Sequence, residues 1–551
     1  MRKSSVLLSI SLAILLGGCK QVSPFEQAIK AGSLTSQGYT VLPDADKVRY
    51  KNVILRVPSE WGGAQLPLDK GPYLSPVDKA IHNGDIGPLI GIYNQALFEL
   101  QNPRVKVEYI NFDMWTDNFR SALAVSLSAG KAPAYYIARD LPQTIEQGMY
   151  ADLTDIMKGW DQFQNQPEGS IRQGTVNGKI YTLAANELGA VVIRYRKDWF
   201  REIGVFNEYG EPGPRSDWTW DDFRRYAKML TKDNRKGYAG AIGSMNYAEA
   251  YGIDYYVPDQ TEKYTWRFNG SDPRLLLALQ SVRDICQKDK SVTTSVTMGW
   301  TEWHNEFDSG RAAMISGFAP HIPRDSILNP TKMGKDKPFR DTVGMVTLPL
   351  GSNGYNSLQP ITNPIGFDPT LSKDQLRAAF EWCKSWFYGD MFANRMRNAI
   401  LEAKLKGKQS ETYVEYLVLP YKPKENLLDK PLEQVFPPDY LGVYKALRAA
   451  HAPPLPREFG LAEPAINELN KAVVALYSDA INTNTDLKSL IAKHGNLINT
   501  NLLQFGGKQD HDKLKRYIEA RTEHYKKYLP KYYDKEWKQK TTSLYRLPAG
   551  N

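Results

Sequence analysis

Residues 105–138 read VKVEYINFDMWTDNFRSALAVSLSAGKAPAYYIA, and this stretch decides the fold class. Val105-Lys106-Val107-Glu108-Tyr109-Ile110 alternates apolar and polar, the period of a strand. Phe119, Ala122, Leu123, Ser126 and Leu127 then fall on one helical face, and Gly130 stops the helix. Pro133 opens a further strand, Tyr135-Tyr136-Ile137-Ala138. Strand, helix and strand at this spacing predict a parallel α/β sheet.

The same pattern recurs on both sides. Upstream, Val53-Ile54-Leu55-Arg56-Val57 is a β-branched run fit for a largely buried strand. Downstream, Val191-Val192-Ile193 reads as a strand, and Thr219-Trp220-Asp221-Asp222 as a capping box ahead of Phe223, Tyr226, Ala227 and Leu230. Another strand, Val343 to Leu348, stops at Pro349. Ser372 caps a helix whose apolar face is Leu376, Ala379, Phe380, Cys383 and Phe387. Beyond about residue 430 the pattern is helical, rich in Tyr, Trp and Lys up to Trp537.

The first twenty residues speak of the compartment. Arg2 and Lys3 precede an apolar run from Val6 to Leu16 and a small-residue site, Leu16-Gly17-Gly18-Cys19. The run is too short for a permanent span, so residues 1–18 are expected to be a signal peptide. Cys19 at the cut resembles a lipoprotein box, which implies acylation, with palmitate among the chains, and membrane attachment through that lipid alone. Residues 19–50, with scattered Ser, Gly, Gln and Pro, read as a tether.

Composition fits a secreted globular body. The chain has 551 residues, enough for more than one domain, and its 42% apolar share can build real cores. Its formal charge of +9 falls to +7 once Arg2 and Lys3 leave. Lys and Arg run along the whole chain with acids between them, which favours a diffuse positive surface near anionic lipid or wall polymers over nucleic-acid binding. Cys286 and Cys383 each sit on an apolar helical face, so two buried free thiols are favoured over a disulfide.

Several segments together resemble family 1 extracellular solute-binding proteins, the group that includes maltose-binding protein and larger lipoproteins feeding oligosaccharide importers. They are Ala129-Gly130-Lys131-Ala132-Pro133, Arg139-Asp140-Leu141-Pro142 and Glu146-Gln147-Gly148. Further on come Asn177-Gly178-Lys179-Ile180-Tyr181-Thr182-Leu183, Ile193 to Phe200 with Gly204-Val205, and Trp218 to Phe223. Phe307-Asp308-Ser309-Gly310-Arg311-Ala312-Ala313-Met314 and Gly344 to Pro349 complete the set, spread in family order over roughly residues 50 to 390. Ala134 departs from the family, which usually has Asp after the Pro.

The resemblance implies a two-lobed, periplasmic-binding-protein-like α/β clamp. Each lobe would be a mainly parallel sheet flanked by helices, with an extended helical C-terminal region. The first lobe would take residues 51–183 and 362–430, the second 184–361 and 431–551. Ligand would sit in the cleft, enclosed when the lobes close about a few hinge residues.

Ligands in α/β sheets gather beyond the carboxyl ends of strands. Glu60 and Trp61 follow the first strand by that rule. Arg139, Asp140, Asn186, Glu187 and Phe318 also match family contact positions by approximate register. Carboxylates, amides and guanidinium suit sugar hydroxyls, and aromatics suit the apolar ring face. Trp300 and Trp303 are weaker candidates, and Trp218 and Trp220 are set aside as helix-start and core residues.

No G-x-S-x-G, H-E-x-x-H or P-loop pattern occurs, so no enzyme activity is expected. Lys232-Asp233-Asn234-Arg235-Lys236-Gly237 lacks the alternating carboxylates of a calcium loop, and neither metal nor cofactor is expected. The resemblance implies a monomeric carrier that hands a carbohydrate, an oligosaccharide in the first instance, to the permease subunits of an ABC transporter. A surface-tethered glycoside hydrolase and a non-catalytic adhesion lipoprotein remain the competing readings.

Overall fold

The computed structural model describes residues 50–58, 98–99, 102, 104–112, 114, 119–138, 141–160, 163, 171, 174–184, 191–240, 251–261, 265–293, 300–318, 342–351, 353, 364–387, 438–449, 463–506 and 511–546. Strand β1 (Val53–Pro58) pairs in parallel with β2 (Val105–Ile110), Val53 opposite Val105 and Pro58 opposite Ile110. Their alternation sends Val53, Leu55, Val57, Val105 and Val107 into one core. Ile54 and Arg56 are exposed and the other four residues of β1 are buried, so the strand is largely buried as expected. Successive side chains point to opposite faces, and Ile54 and Arg56 share the outer face.

The helix expected after β2 spans Phe119–Ser128 and buries Phe119 and Leu123. Gly130 ends it at φ 63°. Its N–H donates to the Leu127 carbonyl and that of Lys131 to the Ser126 carbonyl, the paired bonds that close a helix through a left-handed residue. Beyond it lies β3 (Tyr135–Ile137), buried throughout. A two-residue turn, Asn177-Gly178 with both φ positive, joins β4 (Thr175–Val176) to β5 (Lys179–Ile180), and β6 (Leu183–Ala184) follows.

The first sheet has the order β3, β14 (Pro364–Phe367), β6, with β14 antiparallel to both neighbours. Helix Lys373–Phe387 packs on β1 and, through Phe380, against Phe367 of β14. Ser372 and Gln375 cap its start reciprocally, side chain to backbone in each direction. On this helix Trp382 is fully buried, meets the Phe98 ring edge-on at 5.2 Å and donates its indole N–H to the Tyr135 hydroxyl.

The second sheet has the order β11 (Val292–Thr293), β8 (Lys236–Ala239), β12 (Ala312–Phe318), β7 (Val191–Arg196), β13 (Val343–Thr347). Here β11, β8 and β12 run in parallel, and β7 runs against both β12 and β13, while β9 (Tyr256–Pro258) and β10 (Trp266–Phe268) form a separate antiparallel pair. Helix Trp220–Leu230 packs on it through Phe223, Ala227 and Leu230, and carries the expected capping box between Thr219 and Asp222. Trp218 is a core residue: its indole donates to the Thr347 carbonyl at 2.9 Å, and its own carbonyl accepts from Leu350 N–H. Cys286 lies in this core and Cys383 in the first, so both are buried free thiols. Burial pushes the Cys286 thiol up to about 12 and shifts Cys383 the same way.

Helices Glu463–Asn482, Leu487–Phe505 and His511–Tyr528 join the core of the second sheet through Leu469, Leu476, Ile498 and Tyr525. Helix Pro438–Ala449 lies over β13. Its Asp439 accepts from Met345 N–H at 3.2 Å and pairs with buried Lys197, which also holds Glu211. Burial and the nearby Glu211 raise the Asp439 carboxyl to about 6 against the pull of Lys197. Asp254 behaves oppositely: burial opposes its charge, but Arg521 and Lys540, each at 2.8 Å, hold it well below the usual carboxylate range.

Candidate functional site

The two sheets meet the rest of the chain at edges of one kind. In the first, Ala138 N–H donates to the Pro364 carbonyl at 2.7 Å, and Ala184 lies opposite Pro364. The ends of β3 and β6 therefore share an edge with the start of β14. In the second, Phe318 lies opposite Val191 and Thr347 opposite Val192, so β12 and β13 end where β7 begins. From Ala184 to Val191 the chain has only residues 185–190, a reach of at most about 25 Å. The return path stays tied to the second sheet as far as Leu350, which bridges to Thr219, and then reaches Pro364.

This geometry explains why β7 and β14 run against their neighbours. Each is the strand by which the chain enters a sheet from the other one. A strand entering at the edge where its neighbours end must run away from that edge. Both sheets thus present their carboxyl edges to the same crossings, the place where ligands collect in such folds.

Six expected contact residues, Glu60, Trp61, Arg139, Asp140, Asn186 and Glu187, lie outside the described residues, as does Cys19. Their described neighbours place the chain next to them. Pro58 ends β1 two positions before Glu60, Ala138 directly precedes Arg139, and Ala184 precedes Asn186 by two. Phe318 is the last residue of β12, at the crossing edge. Trp300 opens helix Trp300–Asp308, which returns the chain from β11 to β12. A crossover helix runs back against its strands, so Trp300 is at the end nearer the crossing edge. Trp303 is half-buried one turn further in. The sequence reading left out a hydroxyl pair close to Phe318. Tyr238 of β8 and Ser316 of β12 meet at 2.6 Å, and burial pushes the Tyr238 phenol up to about 12. A serine inside the apolar run Ala312–Phe318 was the available signal.

The segment compared with a calcium loop is a tight turn with Asp233 at φ 53°. Arg235 there binds Glu202 at 2.9 Å and stands over the Trp199 ring at 4.2 Å. Among the described residues, no group of His, Cys, Asp or Glu side chains is arranged to hold a metal ion. No helix among them is long and apolar enough to cross a membrane.

The sequence pattern of bacterial extracellular solute-binding proteins matches residues 76–382, more than half of the chain. The chain belongs to this family. Solved structures of similar fold include an ABC substrate-binding protein from Listeria monocytogenes in complex with cycloalternan. That likeness has a TM-score of 0.54 at 18% identity and covers 83% of this chain and 99% of the other. Maltose-bound MalE3 of T. maritima gives the same TM-score and identity over 81% of this chain and 99% of its own. The GacH receptor of Streptomyces glaucescens, seen unliganded and with acarbose, reaches 0.54 at 15% identity over 83% of this chain and 100% of its own. These likenesses establish the two-lobed α/β fold. An uncharacterized lipoprotein of Streptomyces antibioticus is 26% identical over 218 residues, 38% of this chain. The chain matches 45% of that relative's length.

Proposed function

We propose that this solute-binding protein is lipid-anchored through Cys19, captures a carbohydrate between its lobes and delivers it to an ABC importer without chemical change. The observation that carries the reading is the shared geometry of the two sheet edges. The chain leaves the carboxyl edge of the first sheet at Ala184 and enters the second at Val191. Arg139, Asp140, Asn186, Glu187 and Phe318 stand at or next in sequence to these edges, while Glu60 and Trp61 follow the end of β1 in its separate pair with β2. Carbohydrate as ligand class is supported by the cycloalternan and maltose bound in proteins of this fold and by those residue types. The lipoprotein relative supports the anchor. On this reading the first lobe comprises residues 51–183 and 362–430, and the second 184–361 and 431–551, with residues 19–50 as tether.

Lobe closure gives the test. A glycan array identifies a binder, calorimetry verifies it, and small-angle scattering compares the free and saturated protein. Compaction with ligand and recovery of the intact glycan support the proposal. Superimposable scattering profiles overturn the clamp, and cleaved glycan overturns the carrier role.

A further inference from the structure

The positive charge of this chain is concentrated rather than diffuse. Residues 511–546 carry eleven Lys and Arg against five Asp and Glu, a net +6 out of the chain's +9. Two of the eleven, Arg521 and Lys540, are buried and paired with Asp254, and Lys540 also lies 3.7 Å from Glu536. The other nine are exposed, facing four exposed acids. The excess therefore belongs to the surface of this helical region and not to its interior.

Lys526, Lys527, Lys531, Lys535 and Lys538 form the densest part, interleaved with tyrosines. The ammonium groups of Lys526 and Lys538 stand 5.3 and 5.0 Å from the centre of the same Tyr533 ring, and that of Lys527 is 5.0 Å from the Tyr528 ring. Both rings are half-buried, held against the core side of the region while their lysines face water. Lysine outnumbers arginine seven to two among the exposed cations. A discrete phosphate or nucleic acid is read by the planar fork of arginine, whereas lysine acts as a point charge suited to a delocalised anionic surface. Tyrosine beside lysine is the composition of a membrane–water boundary.

We propose that the 511–546 surface docks on anionic lipid headgroups, giving the protein a second contact with the membrane besides its lipid. The proposal rests on the membrane-side location argued above, but not on ligand capture.

The test uses the full chain bearing Cys19→Ser, so that no lipid contributes, sedimented with phosphatidylcholine vesicles with and without phosphatidylglycerol. Binding is expected only to the anionic vesicles. Exchanging Lys526, Lys527 and Lys531 for Gln together should weaken it about a hundredfold, on about fivefold per lysine. The same exchange at exposed Lys106 and Lys131 of the first lobe should leave it unchanged. A normal melting temperature for the triple variant shows that it is folded. Equal binding to both vesicle types, or full binding by the triple variant, overturns the proposal. Binding to a soluble phosphate polymer with none to vesicles overturns the lipid assignment. Sugar binding measured on the same proteins separates a failure here from a failure of the carrier role.

Discussion

Arg521 and Asp254 are 267 positions apart in the chain and 2.8 Å apart in space. The guanidinium is enclosed by rings, with Trp537 at 4.6 Å and Tyr517, Tyr525 and Tyr545 between 5.2 and 5.5 Å. Tyr517, Tyr525 and Tyr545 also accept hydrogen bonds from it. Removing Arg521 leaves buried Asp254 with Lys540 alone and takes the donor from three buried tyrosine hydroxyls. Arg521→Ala is expected to cost about 3–5 kcal/mol in denaturant unfolding. A loss below about 1 kcal/mol would show that the C-terminal helices are held without this pair.

Two buried carboxyls give opposite pH dependence. Asp254 is depressed, so its contribution to stability is present above about pH 4 and is lost as pH falls toward its folded value. Asp439 is raised to about 6, so the folded state keeps its proton where the unfolded state has released it. Its contribution is fully present below about pH 4 and is lost as pH rises toward 6. Stability measured from pH 4 to 6 should lose this decline in Asp439→Asn. Parallel curves for the two proteins would show that the carboxyl is ionised throughout.

Gly130 and Gly366 should respond differently to Ala. At Gly130 a Cβ meets nothing within 4 Å, and only the left-handed backbone resists, at about 1 kcal/mol. At Gly366, in the central strand of the first sheet, a Cβ would sit 2.2 Å from the Tyr150 ring. Overpacking there should cost about 1–3 kcal/mol, beyond what the turn loses. Equal melting temperatures for the two variants would contradict this packing.

For the proposed site, Glu187→Ala and Trp61→Ala are each expected to weaken ligand binding and to leave the unliganded melting temperature nearly unchanged. Losing a hydrogen bond to a charged group amounts to about ten- to a hundredfold in affinity. Calorimetry beside a thermal melt decides the matter. Normal affinity removes these residues from the site, and a large drop in melting temperature for Trp61→Ala makes it a core residue.

What was legible depended on how local the cause was. The alternation of Val105–Ile110, the helical face from Phe119 to Leu123 and the Thr219–Asp222 capping box are written within a few residues, and all three form. Strands β6 and β11 have two residues each and β14 has four, and their bonds come from partners far along the chain, so no local period announces them. Ala138, Ala184 and Phe318 stand at the strand ends of the crossing edges, beside or among the residues that the strand-end rule singles out. It does not say which side chain at an edge touches ligand. Trp218 shows the reason: a tryptophan is equally at home binding a sugar or, as here, fastening its indole to the Thr347 carbonyl.

The entry of β14 between β3 and β6 also sets an order of assembly. The second sheet has all five strands once the chain has emerged through Thr347. The first has its two outer strands by Ala184 but lacks the middle one until Phe367. In the interval β3 and β6 expose backbone groups to any passing strand, the condition in which nascent chains aggregate. The lobe that begins first along the chain is thus the one whose sheet closes last, and its exposure lasts for the whole synthesis of the other sheet.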